Sequence, residues 1–326
     1  MNLAGEFAGS GACFFVASPP NIPGGVAIIQ LNGDIDAAFA RLGIAPVPPG
    51  RIAVRDLMGV DQGVVARWGP ECAHLTPHGG VAIRRVLVET LLARGVRENI
   101  AGDPRVRYPE AADLTEARML AALADAASPL AIDLLLDQPR RWREREGAAA
   151  ERGAIRERSA VLSRLIRPPL VVAMGPSNIG KSTLVNELAG RNVAIVADEP
   201  GTTRDHVGVT LDLCGLVVRF VDTPGLRADP DPAEREAQDL ARALAERADL
   251  LVSCADSTAA PPEFAAHGNV IRAGLRADLG PARSEVDVVV SVRRSTGLRE
   301  FAALVRERLV PERVLDDPGP WEFWSD

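Results

Sequence analysis

A mostly parallel α/β sheet with helices on both faces, preceded by a small α+β domain and a short helical segment, is the fold class this sequence predicts. Three observations predict it. From residue 170 onward, short apolar runs alternate with helix-length segments: LVVAM then KSTLVNELAG, LVVRFVD then residues 233–249, and DLLVSCAD, NVIRAG and DVVVSV before GLREFAALVRERL. Such alternation builds a parallel sheet covered by its own crossovers. Before residue 113, strand-length runs are punctuated by proline and glycine, as in ACFFVASPPNIPGGVAIIQL, which reads as strand–turn–strand or strand–turn–helix. Residues 113–167 are rich in Ala, Leu, Glu and Arg, which favour helix. The predicted divisions are 1–112, 113–167, 168–310 and a tail over 311–326, with Pro168-Pro169 as the break before the α/β domain.

Taken in order, RIAVRDL and GVVARW around Gly59 and Gly63 read as a strand pair, and VAIRRVLVETLLARG as a helix ending at Gly95. DLTEARMLAALADAA opens on an acid and continues with helix formers. Residues 139–167 carry Arg140, Arg141, Arg143, Arg145, Arg152, Arg156, Arg158 and Arg164 among glutamates. Interleaved Glu–Arg pairs favour a solvated helix over a phosphate-binding surface. GVTLDLCG and LVVRFVD read as a hairpin.

Bulk properties exclude several classes. The chain has 326 residues, 47% apolar and 25% charged, ordinary globular values. Aromatics are 4%, so Ala, Val and Leu fill the core. Cys13, Cys72, Cys214 and Cys254 form no Cys-x-x-Cys pair, which speaks against a disulfide framework or zinc ribbon. Cys72, His74 and His78 match no common zinc spacing. A basic-then-apolar leader is absent, and no apolar stretch approaches the roughly 20 residues a membrane span needs. A cytoplasmic protein without a membrane partner is expected. The net charge of −7 argues against broad nucleic-acid coating while allowing a local basic patch.

The strongest chemical signal is Gly175-Pro-Ser-Asn178-Ile179-Gly180-Lys181-Ser182-Thr183, between the strand LVVAM and the helix STLVNEL. This is the Gly-x-x-x-x-Gly-Lys-Ser/Thr phosphate loop in its confirming context. Glycines let backbone wrap phosphates. The helix N-terminus offers free amides. Lys181 reaches the β and γ phosphates, and the Ser182 hydroxyl can hold magnesium. Forty residues on, Asp222-Thr223-Pro224-Gly225 ends the strand LVVRFV, where a magnesium-linked carboxylate belongs; the Gly225 amide can turn to a γ-phosphate. Between them lies Asp198-Glu-Pro-Gly201-Thr202-Thr203-Arg204-Asp205, a polar loop whose threonine can close over magnesium. Three such loops in this order point to a P-loop GTPase domain.

These motifs resemble the MnmE (TrmE) family of tRNA-modification GTPases. Asn178 in the phosphate loop and Gly201-Thr-Thr-Arg-Asp205 match its pattern, and Asp222-Thr-Pro-Gly-Leu-Arg227 follows its Asp-Thr-Ala-Gly-Leu-Arg with proline in place of alanine. The resemblance implies that Asn178, with carbonyls before Gly201, binds potassium, that Thr203 is the magnesium threonine, and that Glu234 orients the attacking water. A solvated acid at a helix N-terminus is the plain alternative for Glu234. SPPNIPGGVAIIQLNG, the stretch from Leu75 to Gly80 and DLTEARMLAALAD also resemble family segments. The family's domain order further implies a TrmE-type N-terminal domain, a homodimer formed through it, tRNA as substrate and a modification partner protein.

The sequence departs from the pattern in places. The family's guanine-reading Asn-Lys-x-Asp falls at Leu275-Arg276-Ala277-Asp278. Asp278 can still accept both guanine N–H bonds and the Arg276 stem can cover the base; Ser291-Val292-Arg293 resembles the loop near the guanine oxygen. The family's folate contacts fall at Gln30, His74 and Ala111, and none is kept. Its second helical segment and C-terminal cysteine motif have no counterpart before Trp-Glu-Phe-Trp-Ser-Asp. GTP or GDP, magnesium and potassium are therefore the implied ligands, while folate binding and modification chemistry are put in question. A guanine-nucleotide switch or scaffold without that chemistry is the alternative. The aromatics Trp321, Phe323 and Trp324 either dock a partner or pack on their own domain.

Overall fold

The computed structural model describes residues 12–18, 24–99, 103–145, 152–192, 208–225, 231–264 and 267–324. The chain divides into two compact units, Met1–Ala117 and Arg118–Asp326.

The first unit contains β1 (Cys13–Val16), β2 (Ile29–Asn32), α1 (Ile35–Leu42), β3 (Arg51–Leu57), β4 (Asp61–Arg67), β5 (Cys72–Thr76), α2 (Val81–Ala93), β6 (Arg97–Glu98) and α3 (Pro104–Arg107). Its six-stranded sheet runs β3-β4-β5-β2-β1-β6. Of the two readings of this segment, the one with two strands fits: β1 and β2 pair antiparallel from Cys13↔Asn32 to Val16↔Ile29, while residues 19–23 between them lie outside the described residues. The expected pair over 51–67 is the hairpin β3–β4. Helix α1 shows why this unit folds. Asp34 caps it by accepting from Ala37 N at 3.0 Å. Ile35, Ala38, Phe39 and Leu42 recur at helical spacing and are all buried, joining Phe14, Ile29, Leu31 and Leu75 in one core. The interior also holds polar groups. Gln30 and Asn32 both donate to Val106 O, at 2.9 and 3.0 Å. His74 Nε2 lies 3.1 Å from Gln30 Oε1, and burial pushes the His74 imidazole below its ordinary range against the pull of Glu110. His78 turns instead to Asp61, 2.9 Å away.

Helix α4 (Leu114–Asp125) crosses the division between the units and is followed by α5 (Ala131–Leu136), α6 (Gln138–Glu144) and α7 (Arg152–Ile166). Then come β7 (Leu170–Met174), α8 (Lys181–Asn192), β8 (Val209–Leu213), β9 (Leu216–Asp222), α9 (Pro232–Arg247), β10 (Leu250–Ala255), β11 (Val270–Gly274), β12 (Val288–Val289), α10 (Leu298–Leu309) and α11 (Glu312–Leu315). The second sheet runs β12-β11-β10-β7-β9-β8. Its pairings are parallel except for the expected β8–β9 hairpin. Every residue of β7 is buried. Val171 and Ala173 enter a core with α8 and α10, while Leu170, Val172 and Met174 enter a second core with α9. This two-sided split follows from the period-2 alternation of a strand covered on both faces.

The arginine-rich segment differs from the solvated helix expected. Arg140 behaves as predicted, bonding Asp137 at 2.8 Å and Glu144 at 2.7 Å. Arg158, however, is buried, donating to Pro320 O at 2.5 Å and ion-pairing with Asp317 at 2.8 Å. Arg141 donates to Asp317 O and Gly319 O at 2.9 and 3.2 Å. Both cations are consumed by the tail, which packs on its own unit. Trp321 is fully buried, accepts Trp142 Nε1 at its carbonyl and donates its own N–H to Gln138 Oε1 at 3.1 Å. Arg118 stacks 4.5 Å from the Trp324 ring centroid. Replacing a buried Trp leaves a large cavity. Trp321→Ala is therefore expected to lower the unfolding free energy of the second unit by about 3–5 kcal/mol, measured by guanidinium titration. A loss below about 1 kcal/mol would remove the tail from the core.

Candidate nucleotide-binding site

The site is built at the C-terminal edge of the second sheet, where open α/β folds bind ligands. Strand β7 ends at Met174 and the chain must turn at once over β10. A Cβ on Gly175 would lie 2.8 Å from Cys254 O and 2.9 Å from Ile179 Cδ1, so a side chain is excluded there. Asn178 and Gly180 take left-handed φ values of 64° and 99°, the kind of turn that makes a concave cradle of N–H groups for anions. Ile179 is buried beneath the loop, and α8 begins at Lys181 with Leu184 N donating to Gly180 O at 3.0 Å. The positive end of the helix thus opens on the loop.

Lys181 folds over the loop, donating to Pro176 O at 2.9 Å and Gly175 O at 3.2 Å. Burial pushes its pKa down, and the nearby Asp222 carboxylate opposes the shift. Ser182 Oγ donates to Asp222 Oδ2. The other oxygen, Asp222 Oδ1, is buried with no hydrogen-bond partner among the described residues. An orphaned carboxylate oxygen is costly, and beside a hydroxyl it suits a hard, oxygen-seeking cation. The pair therefore fits magnesium. Thr223 Oγ1 donates to Ala173 O at 2.7 Å, pinning the end of β9 to β7. Pro224 leads to Gly225, where a Cβ would stand 2.3 Å from Ser177 Oγ.

The other end of the site is a cavity of about 300 Å³ lined by Gly180, Thr183, Leu184, Leu275, Arg276, Asp278, Val290, Val292 and Arg293. The sequence-predicted Gly180, Thr183, Asp278, Val292 and Arg293 are thus brought around one space. Asp278 Oδ1 accepts from the buried Ser291 Oγ at 2.7 Å, and that bond holds its carboxyl below the usual range. Gly201, Thr202 and Thr203 lie outside the described residues. Glu234 falls in the first turn of α9, and its side chain is likewise outside the description. Sequence reasoning missed Ser177, which meets Gly225, and Asp256, a fully buried acid that ion-pairs with Arg276. Asp256 carried a readable signal, an acid directly after a parallel strand on the ligand-binding edge.

Residues 170–279 match the family model described as 50S ribosome-binding GTPase. The tRNA modification GTPase MnmE of Acidiphilium cryptum is 34% identical over 90% of this chain and 80% of its own length. This chain belongs to the MnmE family. The Rhodopseudomonas palustris MnmE is 33% identical with the same coverage. A crystal structure of Aquifex aeolicus Era bound to GDP.AlF4- shares 26% identity over 43% of this chain and 56% of that one, with a TM-score of 0.35. MnmE membership and the phosphate loop with its Ser182–Asp222 pair make this a GTP-binding, GTP-hydrolysing protein. No helix among the described residues is long and apolar enough to cross a membrane.

Two outcomes follow from this geometry. Gly225→Ala forces the loop after β9 off Ser177. GTP turnover is expected to fall at least about tenfold while GDP still binds. Ser177→Gly does not restore it, because Ser177 Cα and N would remain 2.4 and 2.6 Å from the new methyl. Turnover at the wild-type rate in Gly225→Ala would show that this approach is not needed. The second outcome concerns acid. Burial raises the Asp256 pKa, but bonds from Thr258, Arg276 and Ala259 outweigh it and hold the carboxyl at about 2. Its folded pKa is depressed, so its stabilisation is complete above about pH 4 and is lost as pH falls toward 2. Acid unfolding of Asp256→Asn should be less steep across that window than wild type.

Proposed function

We propose that this MnmE-family chain is a magnesium- and potassium-dependent GTPase of tRNA wobble-uridine modification, acting in the cytoplasm on tRNA with a modification partner protein and as a homodimer through its N-terminal domain. The observation that carries the hydrolytic reading is the Ser182–Asp222 pair with its orphaned oxygen beside Lys181. Residues Asn178 to Thr183 hold the phosphates, and Lys181 leaves its loop carbonyls to meet the β and γ oxygens. Ser182, Asp222 and Thr203 hold magnesium, which when bound neutralises charge on those oxygens. Asn178, on the exposed rim of the loop, offers its amide oxygen to potassium. Gly201 and Thr202 bind the nucleotide beside Thr203, and Thr223, Pro224 and Gly225 lie toward the γ-phosphate. Glu234 orients water for in-line attack. Asp278 reads guanine, with Ser291, Val292 and Arg293 around the base. Catalysis is then positioning and electrostatics, as phosphoryl transfer requires.

One observation favours a narrower second reading, a guanine-nucleotide switch or scaffold without folate chemistry. Gln30 and His74, where the family's folate contacts fall, bond to each other, and Gln30 also donates to Val106 O. Ala111 brings a methyl group. These residues do not fit a folate-anchoring set.

Calorimetry with GDP and ADP, followed by turnover in potassium or sodium with wild type and Glu234→Ala, tests the reading. Guanine preference, potassium stimulation and a loss of about 100-fold in Glu234→Ala are expected. Sodium-supported turnover that ignores Glu234 overturns the catalytic assignment. Formyl-tetrahydrofolate binding would sink the second reading.

A further inference from the structure

Two residues from different strand ends form a charged joint beside the base cavity. Parallel pairing sets Ala255 of β10 against Gly274 of β11, and Leu275 N donates to Ala255 O at 2.7 Å. Both strands therefore end at one level, which brings Asp256 to Arg276. Asp256 is fully buried. Its Oδ1 accepts from Thr258 N, Thr258 Oγ1 and Ala259 N at 2.7, 2.7 and 2.9 Å. Its Oδ2 accepts from Arg276 Nη2. A buried carboxylate stays charged through partners of this kind.

Arg276 is fixed at three points. Its backbone takes φ 53°, a left-handed conformation that non-glycine residues rarely adopt. Its head is tied to Asp256. Its stem lies on the phosphate loop: a Cβ on Gly180 would be 3.3 Å from Arg276 Cγ and 3.7 Å from Cδ. Arg276 lines the cavity together with Leu275.

We propose that Asp256 is a positioning residue for nucleotide recognition: by anchoring the Arg276 guanidinium it holds the aliphatic stem as a fixed wall for the purine ring whose edge Asp278 reads. The clamp rests on the guanine-nucleotide reading above and adds to it the element that fixes the ring plane. An alkyl stem covers a flat ring by dispersion and exclusion of water. A free arginine would lose that contact to rotamer entropy.

The test is the GDP dissociation constant, by calorimetry with magnesium, for wild type, Arg276→Lys, Arg276→Met, Asp256→Asn and the double variant Asp256→Asn/Arg276→Met, each with its ligand-free melting curve. Arg276→Met keeps the stem and loses the anchor, and should weaken GDP binding about tenfold. Arg276→Lys keeps a cation for Asp256 and should stay within about threefold of wild type. Asp256→Asn should weaken binding in the wild-type background and add nothing to Arg276→Met. Wild-type affinity in Arg276→Met, or equal losses in the Lys and Met variants, overturns the clamp, and these two variants decide the matter even where Asp256→Asn fails to fold. Absence of GDP binding in wild type itself is a separate result that takes down the guanine reading along with the clamp.

Discussion

Strand β7 lies inside the sheet with every side chain buried, Val171 and Ala173 on one side and Leu170, Val172 and Met174 on the other. A backbone covered on both faces has its hydrogen bonds fixed by neighbours on either side and cannot slip by one residue without exchanging its two cores. That constraint fixes where the chain emerges. Gly175 therefore meets Cys254 of β10, and Asp222 at the end of β9 stands against Ser182. Register does the same for Asp256 and Arg276. The chemistry is gathered because β7, β9, β10 and β11 run parallel and end on one edge, with Gly175, Asp222, Asp256 and Arg276 at or just beyond their ends.

What was legible in the sequence is what depends on local pattern. The β7–loop–α8 unit, the β8–β9 hairpin and the closing helix all follow from apolar runs of the right length with glycine at the turns. The base-side cluster was legible as positions, since Asp278, Val292 and Arg293 surround the cavity with Gly180 and Thr183. Long-range partnership was not legible. Arg140 and Arg158 look alike in a run of Arg, Glu and Ala, yet one pairs with Asp137 and Glu144 on its own helix and the other with Asp317 and Pro320. Spacing reveals the first, because i,i+4 neighbours lie on one face. It is silent on the second, whose partner comes from another part of the fold. The Asp256–Arg276 pair was hidden for the same reason, since strand register, not sequence distance, brings it together.

The first unit uses its polar residues differently. Gln30, Asn32 and His74 satisfy one another and a helix carbonyl inside the sheet domain. An interior network of this kind is rigid and specific, with the Gln30 and Asn32 amides engaged within it. In the second unit the reverse holds at Asp222, where one oxygen has no partner among the described residues. Polar groups that are closed in one place and open in another distinguish a framework from a site, even when both are buried.

The tail carries a temporal consequence. Gln138 and Trp321 meet across 183 residues, and the Trp321 ring completes a core that also contains residues of α5, α7 and β7. A chain made from its N-terminus must therefore produce the phosphate loop, residues 198–205, the end of β9 and the base loop before that core can close. Closing so long a loop is entropically slow to begin and is repaid only when the final contacts form. Until Trp321 and Phe323 are made, Leu162 and Leu165 of α7, which share their core, lack that cover, and uncovered apolar surface favours aggregation. The residues that line the nucleotide pocket, from Gly180 to Arg293, all precede in the chain the Trp321 that completes this core.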